Sequence, residues 1–226
     1  MDSQPRSSPV KFMLGIDFDN TIINYDEIMY TLALNVGLID SKIRKNKKEI
    51  KDAIRKRGGD LRWQEIQAQS YGKEIAQAVL NPGVWDFLMA CKQQHVLLSI
   101  ISHKTLVSNL VQHKVNLREA ALSWMEKQGF FSNGGIGLEK DQIYFESSRE
   151  EKINCIKKIG CNYFIDDLEE VFTEPSFPKT VKKILYIPHP EALPKNYFLR
   201  DVTFFFSWQE IRQFFIKEGV LSERNE

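Results

Sequence analysis

The stretch FMLGIDFDNTIINYDE, residues 12–27, decides how the rest of the chain is read. A strand-like run, KFMLGI (11–16), ends abruptly in two aspartates one residue apart, Asp17 and Asp19, followed by Asn20 and Thr21. The run is short and nearly continuous, as expected of a strand covered on both faces. Three further runs have the same character: HVLLSII (95–101), NYFI (162–165) and KKILYI (182–187). Helical periodicity lies between them. Val84, Phe87, Leu88 and Cys91 share one face, Ile153, Ile156 and Ile159 another, and Ile211, Phe214 and Phe215 line a last helix. This alternation predicts an α/β fold, a doubly wound parallel sheet.

The alternation is interrupted once. From Tyr25 to Leu80 no strand is expected, only helical patterns broken at Gly37 and at Gly58-Gly59. Connections in α/β units usually run about 2–6 residues, so this segment reads as a helical insertion. The expected organisation is a flexible N-terminus (1–10), a discontinuous α/β core (11–24 and 81–226) and an inserted unit (25–80).

Composition narrows the function classes. The 226 residues are 42% hydrophobic and 27% charged, which describes a soluble globular chain long enough for a substantial core. A formal net charge of +1 gives no global reason to expect nucleic acid or an anionic membrane as partner. The polar start, MDSQPRSSPV, lacks the apolar centre of a signal peptide, and no apolar run approaches a membrane span. Cys91, Cys155 and Cys161 form no CxxC pair and are odd in number. They read as reduced packing residues in a cytoplasmic setting.

Three strand ends carry the chemistry. The first ends in Asp17-Phe18-Asp19-Asn20-Thr21, the second in Ser102-His103-Lys104, the third in Asp166-Asp167. Open α/β sheets bind ligands at the carboxyl ends of their strands. Four carboxylates gathered in one crevice repel unless a cation sits among them, and hard oxygen donors without histidine or thiolate favour magnesium over zinc. Each acid taken alone could equally be a turn residue or a helix cap.

DFDNT, SHK, EEKINCIKKIG and FIDDLEE resemble, in that order, the four motifs of the haloacid dehalogenase-like (HAD) superfamily. The resemblance implies a Rossmann-like core with an inserted helical cap of the first type, and a phosphatase-type DxDxT signature. It implies Asp17 as the nucleophile that becomes an aspartyl-phosphate, and Asp19 as the acid that protonates the leaving oxygen and then activates water. One acid can serve both half-reactions in opposite senses. Halide leaves without a proton, so an acid at position 19 points to phosphoryl transfer. Ser102 matches the hydroxyl that holds the phosphoryl group. The backbone at His103 and Lys104 could join it, with no chemistry assigned to either side chain. Lys152 matches the lysine that stabilises charge, being in the first turns of a helix whose start, at Ser147 or Ser148, should lie at the active-site edge; Ile153 follows it where many members carry proline. Asp17, the Asp19 backbone carbonyl, Asp166 and Asp167 would hold magnesium, with Asp166 the expected direct ligand. Asn20 and Thr21 would support the turn.

Together these imply a magnesium-dependent phosphatase acting on a small phosphorylated metabolite. A phosphomutase using the same two aspartates, or a HAD-fold binding module without turnover, are the alternatives. In the insertion, the basic run SKIRKNKKEIKDAIRKR (41–57) could attract an anionic substrate or simply be a solvated helix face. Arg62, Trp63, Gln67 and Tyr71 are candidate specificity residues. Trp63, Gln67 and Tyr71 share one helix face that could equally serve packing.

Overall fold

The computed structural model describes residues 12–107, 115–193 and 198–223. The expected flexible N-terminus lies outside these residues. Six parallel strands form the central sheet: β1 (Met13–Ile16), β4 (Leu97–His103), β5 (Ile143–Glu146), β6 (Tyr163–Asp166), β7 (Lys182–Tyr186) and β8 (Val202–Phe205). Their spatial order is β5-β4-β1-β6-β7-β8. The chain builds outward from β1 to one edge, returns, and builds to the other edge. β1 therefore sits at the point where the winding reverses, with β4 and β6 as its neighbours.

Strand alternation divides the core between the two faces. Leu14, Ile16, Ile100, Ile165 and Ile184 belong to a large cluster with Phe87, Leu88, Ile211 and Phe215. These come from α3 (Val84–Gln93) and α7 (Trp208–Lys217). Ile101, Phe164 and Leu185 point the other way, onto Ile153 and Ile156 of α5 (Arg149–Ile159) and Val171 and Phe172 of the short α6 (Glu169–Phe172). Gly15 is required for this packing. A Cβ there would lie 2.6 Å from the Phe164 ring and 2.8 Å from Cys161 Sγ. All three cysteines are buried and free.

The four strands expected from sequence are present, with ends shifted by one or two residues. β5 and β8 were not expected; they are the two edges of the sheet. Between β1 and β4 the chain makes β2 (Ile23–Asn24), α1 (Asp26–Asn35), α2 (Lys47–Tyr71) and β3 (Val79–Leu80). β2 and β3 pair antiparallel, so the segment from Tyr25 to Leu80 does contain one strand, of two residues. α2 is interrupted at Gly59, whose φ of 79° and ψ of 178° are non-helical. Gly37, at φ 69°, follows the end of α1. The helix starting at Leu117, α4 (Leu117–Lys127), completes the helical set together with three single-turn 3₁₀ segments among the described residues.

Candidate active site

The turn after β1 carries most of the site, and two buried side chains lock it. Asn81 donates from Nδ2 to the carbonyl oxygens of Asn20 and Thr21, both at 2.9 Å. Trp208 Nε1 also donates to Thr21 O, at 3.2 Å. Asn20 takes a left-handed conformation, φ 66°, which asparagine tolerates better than most residues. The turn leaves Asp17 beside β6, its amide donating to Ile165 O at 2.8 Å.

The Asp17 carboxylate is held from three directions. Oδ1 accepts from Ser102 Oγ at 2.8 Å and from Lys152 Nζ at 2.6 Å, while Oδ2 accepts from Thr21 Oγ1 at 3.3 Å. Lys152 donates equally to Asp166 Oδ2, at 2.6 Å. Its position follows from the start of α5, where Ser148 and Glu151 form a reciprocal capping box. Burial alone would lower the Lys152 ammonium, but Asp166 and Asp17 hold it above its ordinary value. Asp166 is fully buried, and its Oδ1 accepts from Leu168 N at 2.9 Å.

Asp17, Asp166 and Asp167 offer carboxylate oxygens within 4.8 Å of one another. Burial pushes the Asp166 and Asp167 carboxyls up, against the pull of Lys152 and Lys47, and the Asp17 charge raises both further. Such a group carries its charge at a cost that a cation would relieve. The donors are all oxygen, which suits a hard divalent ion such as magnesium.

The Asp19 carboxylate is outside this cluster. Lys104 Nζ lies 3.0 Å from Oδ1 and 2.9 Å from Oδ2, and Tyr25 donates its hydroxyl to Oδ1 at 2.8 Å. Burial first, then the Asp19 charge, raises the Tyr25 phenol well above its ordinary value, so it remains a donor. The side chains of Ser102 and Lys104 both reach the site from the end of β4, but that of His103, expected to act through its backbone, does not. Its ring is exposed and Nε2 lies 3.1 Å from Ser147 O. The strand end therefore turns positions 102 and 104 inward and 103 outward, which gives Lys104 the side-chain contact that sequence reading withheld.

The insertion also reaches in. Lys47 Nζ pairs with Asp167 Oδ2 at 3.0 Å, whereas Lys48 and Arg55 of the same basic run make exposed pairs with Asp52 and Asp60. Tyr71 packs on Tyr25, ring centroids 4.5 Å apart, and its hydroxyl accepts from Asn20 Nδ2 at 3.2 Å and Gln67 Nε2 at 3.3 Å. Of the other candidate specificity residues, Trp63 is buried in the core and the exposed Arg62 pairs with Glu65 at 2.7 Å. Glu169 and Glu170 stand in the first turn of α6, where negative charge suits a helix start. A cavity of about 510 Å³ opens beside Asp167, walled by Asn20, Lys47, Lys51, Tyr186 and His189. Among the described residues no helix is long and apolar enough to cross a membrane.

No protein-family model matches the chain, and no curated protein does. Solved structures do. A HAD family hydrolase from Deinococcus radiodurans R1, solved with bound phosphate and sodium, superposes with a TM-score of 0.60 at 12% identity, covering 96% of this chain and 99% of that one. The fold is that of the HAD hydrolases. A HAD hydrolase of family IA, variant 3, from Entamoeba histolytica shares it at a TM-score of 0.56 and 13% identity, covering 92% of this chain and 97% of that one. So does a predicted phosphoglycolate phosphatase from Haemophilus somnus, at 0.50 and 15%, covering 92% and 99%. In the HAD fold of this chain, the carboxylates lie at the ends of β1 and β6, beside the strand order's point of reversal.

Proposed function

We propose that this protein is a cytoplasmic magnesium-dependent phosphatase that hydrolyses a small phosphorylated metabolite through an aspartyl-phosphate on Asp17. The observation that carries the reading is the shared lysine. Lys152 donates to Asp17 and to Asp166 at 2.6 Å each, so a nucleophile candidate and a metal-ligand candidate meet at one buried cation. Ser102 adds a hydroxyl on the same oxygen of Asp17. The phosphate bound by the Deinococcus hydrolase is consistent with an anionic substrate here.

In this reading Asp17 attacks phosphorus, while Ser102 and Lys152 orient the nucleophile and donate to the transferred group's oxygens. Asp19 gives a proton to the leaving oxygen and later takes one from water. Asp17, Asp166, Asp167 and the Asp19 backbone carbonyl would hold magnesium, which when bound would neutralise charge on the carboxylates and on the phosphoryl oxygens. Residues 25–80 act as a helical cap that admits substrate and excludes water, and residues 11–24 with 81–226 form the catalytic core. The cavity beside Asp167 gives room for the organic part of the substrate.

The test is phosphate release from a panel of sugar phosphates, nucleotides and phosphorylated acids, with magnesium and after verified metal removal. Release that needs the ion supports the reading. Full turnover in excess chelator removes the metal from it, and no release from any phosphate monoester removes the phosphatase.

A further inference from the structure

We propose that Lys104 is the positioning residue of Asp19, and that Tyr71, carried by the insertion, holds Lys104 in place. The inference rests on the reading of Asp19 as proton donor and acceptor, and it adds what aims that carboxylate.

A carboxylate on a turn can rotate about two bonds, and proton transfer needs it within about 2.6–3.2 Å of one oxygen of the substrate. Asp19 is aimed by two groups only among its described partners. Lys104 spans both of its oxygens, and the Tyr25 hydroxyl takes one of them. Lys104 is itself fixed at its backbone, where its amide donates to Glu146 O at 2.8 Å and its carbonyl accepts from Arg118 Nε at 2.9 Å. Among the described residues its long side chain is restrained at its charged end, which lies 4.6 Å from the centre of the Tyr71 ring and 5.7 Å from that of Phe18. A desolvated cation over an aromatic face is attracted to it. Lys104 is 2% exposed, so this contact is made without competing water.

Tyr71 therefore touches both groups that touch Asp19: it lies under the ammonium of Lys104 and against the ring of Tyr25. It is also the last residue of α2, and its hydroxyl accepts from Asn20 of the first turn. The consequence is a mechanical link. When the insertion is docked, the Tyr71 ring completes the wall behind Lys104 and Tyr25, and Asp19 is aimed. Without that ring, the described contacts left to the Lys104 ammonium are Asp19 and Phe18.

A buried ion pair that merely stabilised the fold would affect every substrate alike. In the first half-reaction a positioning role depends on the leaving group, because only a poor leaving group needs the proton from Asp19. Steady-state kcat/KM, which reports that half-reaction and not the later hydrolysis of the aspartyl-phosphate, separates the two when measured for 4-nitrophenyl phosphate and a simple alkyl phosphate in the wild type and in Lys104→Met, Tyr71→Leu and Tyr71→Phe. Lys104→Met should lose about 10²–10³-fold on the alkyl ester, within the usual range for proton transfer, and much less on the aryl ester. Tyr71→Leu should follow the same pattern more weakly, and Tyr71→Phe, which keeps the ring, should lose less than Tyr71→Leu. Equal losses on both esters would overturn the proposal. A second arm needs no turnover: the NMR signal of the ¹⁵N-labelled Lys104 ammonium, slow to exchange in the wild type, should be lost in Tyr71→Leu and kept in Tyr71→Phe. An unchanged signal in Tyr71→Leu overturns the Tyr71 link even in a protein that hydrolyses nothing. Absence of wild-type turnover with the signal behaving as expected refutes the phosphatase reading instead.

Discussion

Lys47 of the insertion and Asp167 at the end of β6 form a largely buried ion pair, Nζ to Oδ2 at 3.0 Å. Asp167 is also one of the three acids whose oxygens converge. A divalent ion using that carboxylate must take it from the lysine. Lys47→Met should therefore tighten magnesium binding, by roughly 5-fold if the pair is worth about 1 kcal/mol. Titration calorimetry with magnesium checks this; weaker binding in the variant would mean that Lys47 holds Asp167 in place for the ion.

The two aspartates of the first turn should fail differently. Under the proposed mechanism Asp17→Asn would remove the nucleophile, and uncatalysed phosphate monoester hydrolysis is slow enough that enzymes accelerate it by up to ~10²¹, so no measurable turnover is expected. Asp19→Asn would remove only proton transfer, about 10²–10⁴-fold, and phosphoenzyme on Asp17 should accumulate for want of a base. Rapid-quench labelling followed by peptide mapping locates the phosphate. Label on Asp19, or robust turnover by Asp17→Asn, would reverse the assignment.

A pH-dependent tie joins the insertion to the core. Asp26 at the start of α1 accepts from the amide of Lys47 at 2.7 Å and pairs with His189 Nε2 at 2.9 Å, while Glu191 lies 3.3 Å from His189 Nδ1. The bond to Asp26 raises the imidazole above its ordinary value, against the effect of burial. A raised histidine stabilises the fold fully below its unfolded value, about 6.5, and the contribution fades as pH climbs through the raised folded value. The melting-temperature difference between the wild type and His189→Gln should thus be largest near pH 5.5 and shrink toward pH 8.5. A difference that grows with pH would contradict the pairing.

Gly59 offers a test of backbone strain free of packing. Its φ of 79° with ψ of 178° is a region open essentially to glycine, and a Cβ there would meet nothing within 4 Å. Gly59→Ala should cost about 1–3 kcal/mol, a fall in melting temperature of roughly 2–12 °C. Gly134, which also has open space but no positive φ, provides the control, and Gly134→Ala should melt near the wild type.

What was legible in the sequence follows from which signal each feature leaves. β1, β4, β6 and β7 were readable because their burial on both faces demands continuous apolar runs. β5 and β8 lie at the sheet's edges, where residues such as Tyr144 and Phe204 are only half-buried, and their short runs carry no such signature. The carboxylates were readable because polar or acidic residues close three apolar runs, which turn or cap roles explain singly but not together. Lys104 and Tyr71 were not. Lys104 meets Asp19 across 85 positions of sequence, and Tyr71 shows a helix periodicity that packing explains equally well. Contacts made only when separate elements come together have no local pattern to betray them.

The two-residue ribbon of β2 and β3 has a consequence for how this architecture can vary. Ile23 faces Leu80 and Asn24 faces Val79, so the chain departs from the sheet and returns to it at one clasp. Everything beyond the clasp is, to the sheet, a single closed loop, and closing a loop costs only about 0.6 kcal/mol more for each doubling of its length. Changes of length in the segment should therefore leave the register of β1 against β4 in place, provided its ties to the core, such as Lys47 to Asp167 and Asp26 to His189, are kept. Variation in this architecture should accumulate on the far side of the clasp, while Asn81, which grips the first turn from just beyond it, is the residue any graft must keep.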